Sequence, residues 1–161
     1  MAQYDLKHVV VTIQDGTPTT PNSIELNFGD GTLSWDETTN REYNLDRGLL
    51  DTVRDGDEVP VELKFDGKLI NVISDGSEDV TVSEALNKIG AAAAWVSADS
   101  DTCQPYAVKV IATYTPDCSG TNEVITFPLF RKEKCTYDLK TGKISVSGKC
   151  NVTRPTVERD V

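Results

Sequence analysis

Apolar residues return at every second position in segment after segment of this chain, and that period suits strands. Ile24, Leu26 and Phe28 share one face, as do Leu33 and Trp35, and Val61, Leu63 and Phe65. Tyr106, Val108, Val110, Ala112 and Tyr114 repeat the pattern, followed by Ile144, Val146 and Gly148. Tyr4 to Ile13 begins with alternation and ends β-branched, which also reads as a strand. Turn residues punctuate these runs. Gly29-Asp30-Gly31 predicts a hairpin, Asp66-Gly67 a second one returning through Lys68 to Ile73, and Thr141-Gly142 a third. Pro128 interrupts Glu123 to Phe130, which predicts an edge strand or a bulge there.

Helical spacing occurs convincingly once. Val82, Leu86, Ile89 and Ala93 fit a helix over Thr81 to Ala94, and Thr81 followed by Glu84 fits a capping box at its start. Gly90 weakens that helix or ends it early. The expected class is therefore α+β, mostly β: a sandwich or barrel of antiparallel strands with one flanking α-helix. At 161 residues the chain fits a single domain over 1–161. Two segments stand apart. Asp36 to Asp57 is long, charged and poor in apolar residues, and is expected as an extended loop with a short helical turn near Asp46 to Val53. The polar tail 151–161 is expected to be disordered unless it docks on a partner.

Composition narrows the function. Sixteen basic residues against 26 acidic ones give a net charge of −10, which disfavours tight binding to nucleic acid or to an anionic membrane. No apolar run approaches the length of a membrane span, and the first residues lack a secretory-signal pattern, which favours synthesis and retention in the cytoplasm. Four cysteines at 103, 118, 135 and 150 include no CxxC pair. Reduced thiols are the default in that compartment, with disulfides or a metal site open as alternatives. Cys135 and Cys150 flank Thr141-Gly142 almost symmetrically, so a hairpin centred there would place them opposite each other, in reach of a disulfide.

Motifs for chemistry are absent. There is no GxSxG elbow, P-loop or GxGxxG, and the single histidine, His8, lies within a predicted strand. Asp55, Asp57 and Glu58, or Asp75, Glu78 and Asp79, place oxygens close together, but neither group follows a full EF-hand loop and both read as solvated turn acids. Trp35 and Trp95 could line a sugar site, yet core packing is the simpler reading of both. No catalytic residue, cofactor or metal is expected.

Phe28-Gly29-Asp30-Gly31-Thr32-Leu33-Ser34-Trp35, then Leu45 through Asp57 into the strand Val59 to Phe65, resembles the middle of the tail tube proteins of long-tailed, non-contractile bacteriophages. Cys103-Gln104-Pro105-Tyr106, Glu123 to Pro128 and Lys143 to Asn151 resemble their C-terminal half. The order of elements spans nearly the whole chain, although each motif is only turn glycines and alternation. The resemblance implies hexameric rings stacked into a hollow tube through which DNA passes without specific binding. It implies a virion protein assembled in the host cytoplasm, with the tape measure protein and tail terminator as partners and no catalytic residues. Tyr43, Leu45, Asp46, Arg47, Leu49, Leu50 and Arg54 would then contact the adjacent ring, while Glu25, Glu62 and Asp66 are candidates for acids lining the lumen. The four cysteines match no fixed pattern of that family. Rival readings are a secreted or surface β-sandwich binding module, and the tube protein of a contractile tail or secretion system.

Overall fold

The computed structural model describes residues 8–26, 31–68, 80–116 and 121–159. The elements run β1 (Val9–Gln14), β2 (Ser23–Glu25), β3 (Leu33–Asp36), β4 (Thr39–Asp46), β5 (Leu49–Glu58), β6 (Val61–Lys68), α1 (Val82–Asn87), β7 (Val108–Tyr114), β8 (Glu123–Asp138), β9 (Lys143–Cys150) and β10 (Thr156–Arg159). Strands take 56% and helix 8%, so the class is mostly β with one α-helix. The larger sheet runs β2-β1-β7-β8-β9-β6-β3, with β10 added to β8, while β4 and β5 form a sheet of their own. The arrangement is sandwich-like and no sheet closes into a barrel.

Strand β8 joins the two halves of the larger sheet. Its first part pairs with β7 and β10, its second with β9. The change of partner falls at Pro128-Leu129, where proline offers no N–H, Leu129 takes φ 55°, and the register against β7 shifts. The bulge expected at Pro128 is present. Inward side chains of both halves share one core. Trp35 meets Phe127 edge-on at 5.2 Å between ring centres, and Phe65 lies 6.1 Å from Phe130. Trp95 is in the core, 5% exposed, as core packing predicts, whereas Trp35 is 37% exposed and departs from that expectation. Between β3 and the start of β1, Val9, Leu33, Trp35, Ala112 and Ile125 help to line an apolar cavity of about 290 Å³.

Several local expectations are corrected. β2 and β3 do not form a hairpin: β2 pairs with β1 and β3 with β6, at opposite ends of the sheet, and residues 27–30 between them lie outside the described residues. Asp66-Gly67 is no turn. β6 runs straight through both, with buried Gly67 opposite Ile144, because the long ladder with β9 holds them extended. The return strand expected beyond Lys68 falls outside the described residues. The tail is not free: Thr156 to Arg159 pair with Thr126 to Glu123, and Arg159 lies 3.7 Å from the Glu123 carboxylate.

The helix begins as expected but is shorter. The Thr81 hydroxyl accepts the Glu84 N–H at 3.3 Å. Lys88 takes the left-handed conformation after Asn87, and one 3₁₀ turn follows at Gly90–Ala92. Instead of returning to the Thr81 backbone, the Glu84 carboxylate accepts the Ala91 N–H at 2.6 Å and ties that turn to the helix. The Tyr106 hydroxyl donates to the Ala85 carbonyl at 3.0 Å, fastening α1 to the start of β7. Burial, with the charge of Asp15 nearby, pushes that hydroxyl up to about 12.

Cys135 and Cys150 do not face each other. Asp138 lies opposite Lys143, so Cys135 meets Val146, while Cys150 meets Phe130. The hairpin is centred before Thr141-Gly142, which separates the two cysteines by four further residues, roughly 13 Å along the strand. A bridge tolerates only about 7 Å between Cα atoms. Both thiols are free, as is exposed Cys103, and burial raises the Cys150 thiol to about 12. Cys118 lies outside the described residues.

Asp15 is the one buried charged residue among those described, only 4% exposed. Its carboxylate accepts from the Thr17 hydroxyl at 2.7 Å, from Asn22 N–H and Nδ2 at 2.8 Å each, and from Val96 N–H at 3.1 Å. Burial alone would raise its pKa, but the hydrogen bonds from Thr17, Asn22 and Val96 outweigh burial and hold it below the ordinary 3.8. The ion is thus the folded form's preference, and its stabilisation is complete above that ordinary value and is lost as pH falls through the lower folded value. Asp15→Ala should cost about 3 kcal/mol by orphaning these donors. Urea unfolding from pH 6 down to pH 2 should show the parent's acid-dependent loss reduced in Asp15→Asn; equal acid sensitivity in both proteins would refute the assignment.

Candidate assembly surface

The segment 36–57 is not a loop. Thr39–Asp46 and Leu49–Glu58 pair antiparallel as β4 and β5. Arg47 and Gly48, at φ 52° and 82°, form the two-residue turn that joins them. Two successive positive φ values are what a tight hairpin needs, and glycine supplies the second without strain. β-branched and aromatic residues at Tyr43, Thr52 and Val53 favour the extended form. The helical turn expected near Asp46 to Val53 is replaced by strand.

This hairpin stands away from the sandwich. Among the described residues its strands pair only with each other, and each of their residues except Gly56 is exposed. At its base Asn40 Nδ2 donates to the Asp57 carbonyl at 3.2 Å. The register sorts its side chains by face. Tyr43 lies opposite Val53, and Leu45 opposite Leu50. The other face pairs Glu42 with Arg54 and Asn44 with Thr52, whose side chains are 3.1 Å apart. A register shift after Asn44 makes Asp51 the extra residue of β5. Arg41 and Asp55 are 3.5 Å apart nearer the base.

Tyr43, Leu45, Leu49, Leu50 and Val53 are 55% to 77% exposed. An isolated two-stranded hairpin is marginal in water, and here Tyr43, Leu45, Leu50 and Val53 share one face while Leu49 lies opposite Asp46 on the other. All seven residues expected to touch an adjacent ring lie on this hairpin, and Val53 completes their apolar stripe. Arg54 is occupied by Glu42 within the hairpin. Its charge therefore supports the hairpin more directly than a partner.

The lumen candidates are not brought together. Glu25 sits on β2, at the far end of the sheet path from Glu62 and Asp66 on β6. On that outer face Glu62 and Asp66 alternate with Lys64 and Lys68, and Glu62 lies opposite Lys149. The acids are interleaved with lysines and do not make a uniformly negative wall. Among the described residues, no group of three or more His, Cys, Asp or Glu side chains could hold a metal ion.

Sequence reasoning passed over Tyr137 and Leu139 at the opposite β8–β9 turn. They are 45% and 88% exposed. The signal available was Leu139 between Asp138 and Lys140, an apolar residue at a charged turn.

No family model matches this chain, and no curated protein matches it. Its fold is similar to a chain in the cryo-EM structure of the anti-feeding prophage baseplate, determined with 6-fold symmetrisation. That match has a TM-score of 0.52 at 12% sequence identity, covering 98% of this chain and 97% of the other. The likeness is one of fold.

Proposed function

We propose that this chain is a structural subunit of a phage-tail-like particle, repeated in rings and stacked as part of a tube or baseplate. The observation that carries this reading is the exposed apolar hairpin standing off the sandwich. A monomer has no use for such a surface, whereas a head-to-tail contact repeated around and along an axis does. The end-to-end likeness of fold to a chain of a six-fold symmetrised baseplate supports the same assembly class. It favours the tube of a contractile tail or secretion-type particle over the tail tube of a non-contractile phage. In the second reading the rings are hexamers enclosing a DNA conduit, with tape measure protein and tail terminator at its interior and end.

The role proposed is structural: the surface offers anchors for a protein partner. The acidity of the chain is concentrated in the hairpin. Six acidic residues and three arginines between Thr39 and Glu58 leave three negative charges on its two strands and turn. The interleaved β6 face would give a nearly neutral wall if it lined a channel.

Electron microscopy of the purified protein across a concentration series tests the proposal. Rings or hollow stacks are expected. A chain that remains monomeric at the highest soluble concentration, and is not incorporated when co-expressed with its neighbouring particle proteins, would refute it. Excising residues 41–55, so that Asn40 joins Gly56 at the hairpin base, should leave the unfolding midpoint of the sandwich within about 3 °C while removing the stacks. Loss of cooperative unfolding in that variant would show instead that the hairpin belongs to the fold.

A further inference from the structure

The hairpin is matched by a surface of opposite charge on the larger sheet, at the end of β6 away from the hairpin base. Lys140 and Lys143 stand at the turn between β8 and β9, with Asp138 beside them, against the trend of a chain with net charge −10. Lys64 and Lys68 of neighbouring β6 add to it, with Lys68 directly opposite Lys143. Asp138, opposite Lys143 on its other side, offsets part of this charge.

The register fixes where this surface lies. β6 starts beside the hairpin base at Val61, opposite Cys150, and ends at Lys68, opposite Lys143. Asp138 lies opposite Lys143 on the other side, so the β8–β9 turn sits at the Lys68 end. The hairpin base and that turn are therefore separated by the length of an eight-residue strand, roughly 25 Å. Among the described residues the hairpin packs closely on no other strand or helix. Each end also carries exposed apolar anchors: Leu45, Leu49 and Leu50 at one, Tyr137 and Leu139 at the other.

We infer that the acidic β4–β5 hairpin of one copy docks on the lysine-bearing β8–β9 end of the next copy. This rests on the proposed stacking and names its two surfaces. Because they differ, the contact is heterologous and gives the stack a direction. Opposite charge steers the approach and rejects hairpin against hairpin, while the leucines and Leu139 supply the dry centre. With a screening length of about 8 Å at physiological salt, the steering acts only at close approach.

Charge exchange tests the pairing. One variant carries Asp46→Lys and Asp51→Lys on the hairpin; the other carries Lys140→Glu and Lys143→Glu at the opposite end. All four positions are exposed, so both variants should unfold at the parent's temperature. Sedimentation and electron microscopy should show each variant alone associating at least tenfold more weakly than the parent. An equimolar mixture should regain stacks, because the reversed hairpin of one meets the reversed turn of the other and the native pair is also satisfied. Two variants that each stack like the parent would overturn this inference and leave the assembly reading standing. Failure of the mixture to recover would show that the two ends do not meet. A parent that never associates would overturn both.

Discussion

Replacing Leu49 and Leu50 together by serine is expected to weaken subunit association by roughly 1,000-fold while leaving the unfolding temperature of the monomer unchanged. The two leucines are 73% and 77% exposed, so the fold loses little when they are truncated. Buried anchors at an interface commonly carry about 2 kcal/mol or more each, and about 4 kcal/mol in total corresponds to three decades in association constant. Tyr43→Ser, lying further from the turn, should fall short of the double variant. Sedimentation equilibrium gives the association constant and thermal unfolding gives the control. If the double variant associates as the parent does, the hairpin is not the contact. If it unfolds early, these leucines serve the fold and not assembly.

What the sequence made legible follows from how local each cause is. Alternation in Val61 to Phe65 and in Val108 to Ala112 placed core faces correctly, since strand period depends only on neighbouring positions. The Thr81 cap was legible for the same reason. Pairing was not, because it depends on distant partners. Gly29-Asp30-Gly31 looked like a hairpin turn, yet β2 and β3 find their partners in β1 and β6. Asp66-Gly67 carried a strong turn signal that an eight-pair ladder with β9 overrides.

The candidate surface was legible as residues and missed as structure. Charge and scattered leucines marked 36–57 as unusual, but the turn at Arg47-Gly48 carries little local signal, since arginine is uncommon at positive φ. Once those two residues are read as a turn, Tyr43 and Val53 become cross-strand partners and the apolar face appears. The cysteine pair failed for a related reason. Symmetry about Thr141-Gly142 in the sequence differs from symmetry about the true centre of the hairpin, and a shift of that size removes a disulfide altogether.

Gly148→Ala is expected to damage the sandwich severely. Gly148 lies in β9 where β8 changes register, between Lys132 and Lys134. A methyl group there would sit 2.2 Å from the Arg131 carbonyl oxygen, 2.9 Å from Lys132 Cα and 2.9 Å from the Phe130 ring. The first two neighbours are backbone, so relief requires the strands to part and cannot come from turning a side chain. Parting them disturbs Phe130, which is wholly buried and packs against Phe65. It also moves Arg131, whose guanidinium holds Asp99 at 2.7 Å and the Pro105 carbonyl at 3.0 Å, fixing the approach to β7. Overpacking ordinarily costs about 1–3 kcal/mol, and forced separation of two backbones in a central ladder should add to it, giving about 4 kcal/mol. For a domain of this size that lowers the unfolding temperature by roughly 8–16 °C. Gly142→Ala is the useful contrast: its added methyl meets nothing within 4 Å, and only its φ of 66° opposes the change, so it should lose about 1 kcal/mol. Thermal and urea unfolding of the two variants should separate them clearly. Equal losses would mean that β8 and β9 adjust freely at the register shift and that the close approach at Gly148 does not hold the two halves of the sandwich in place.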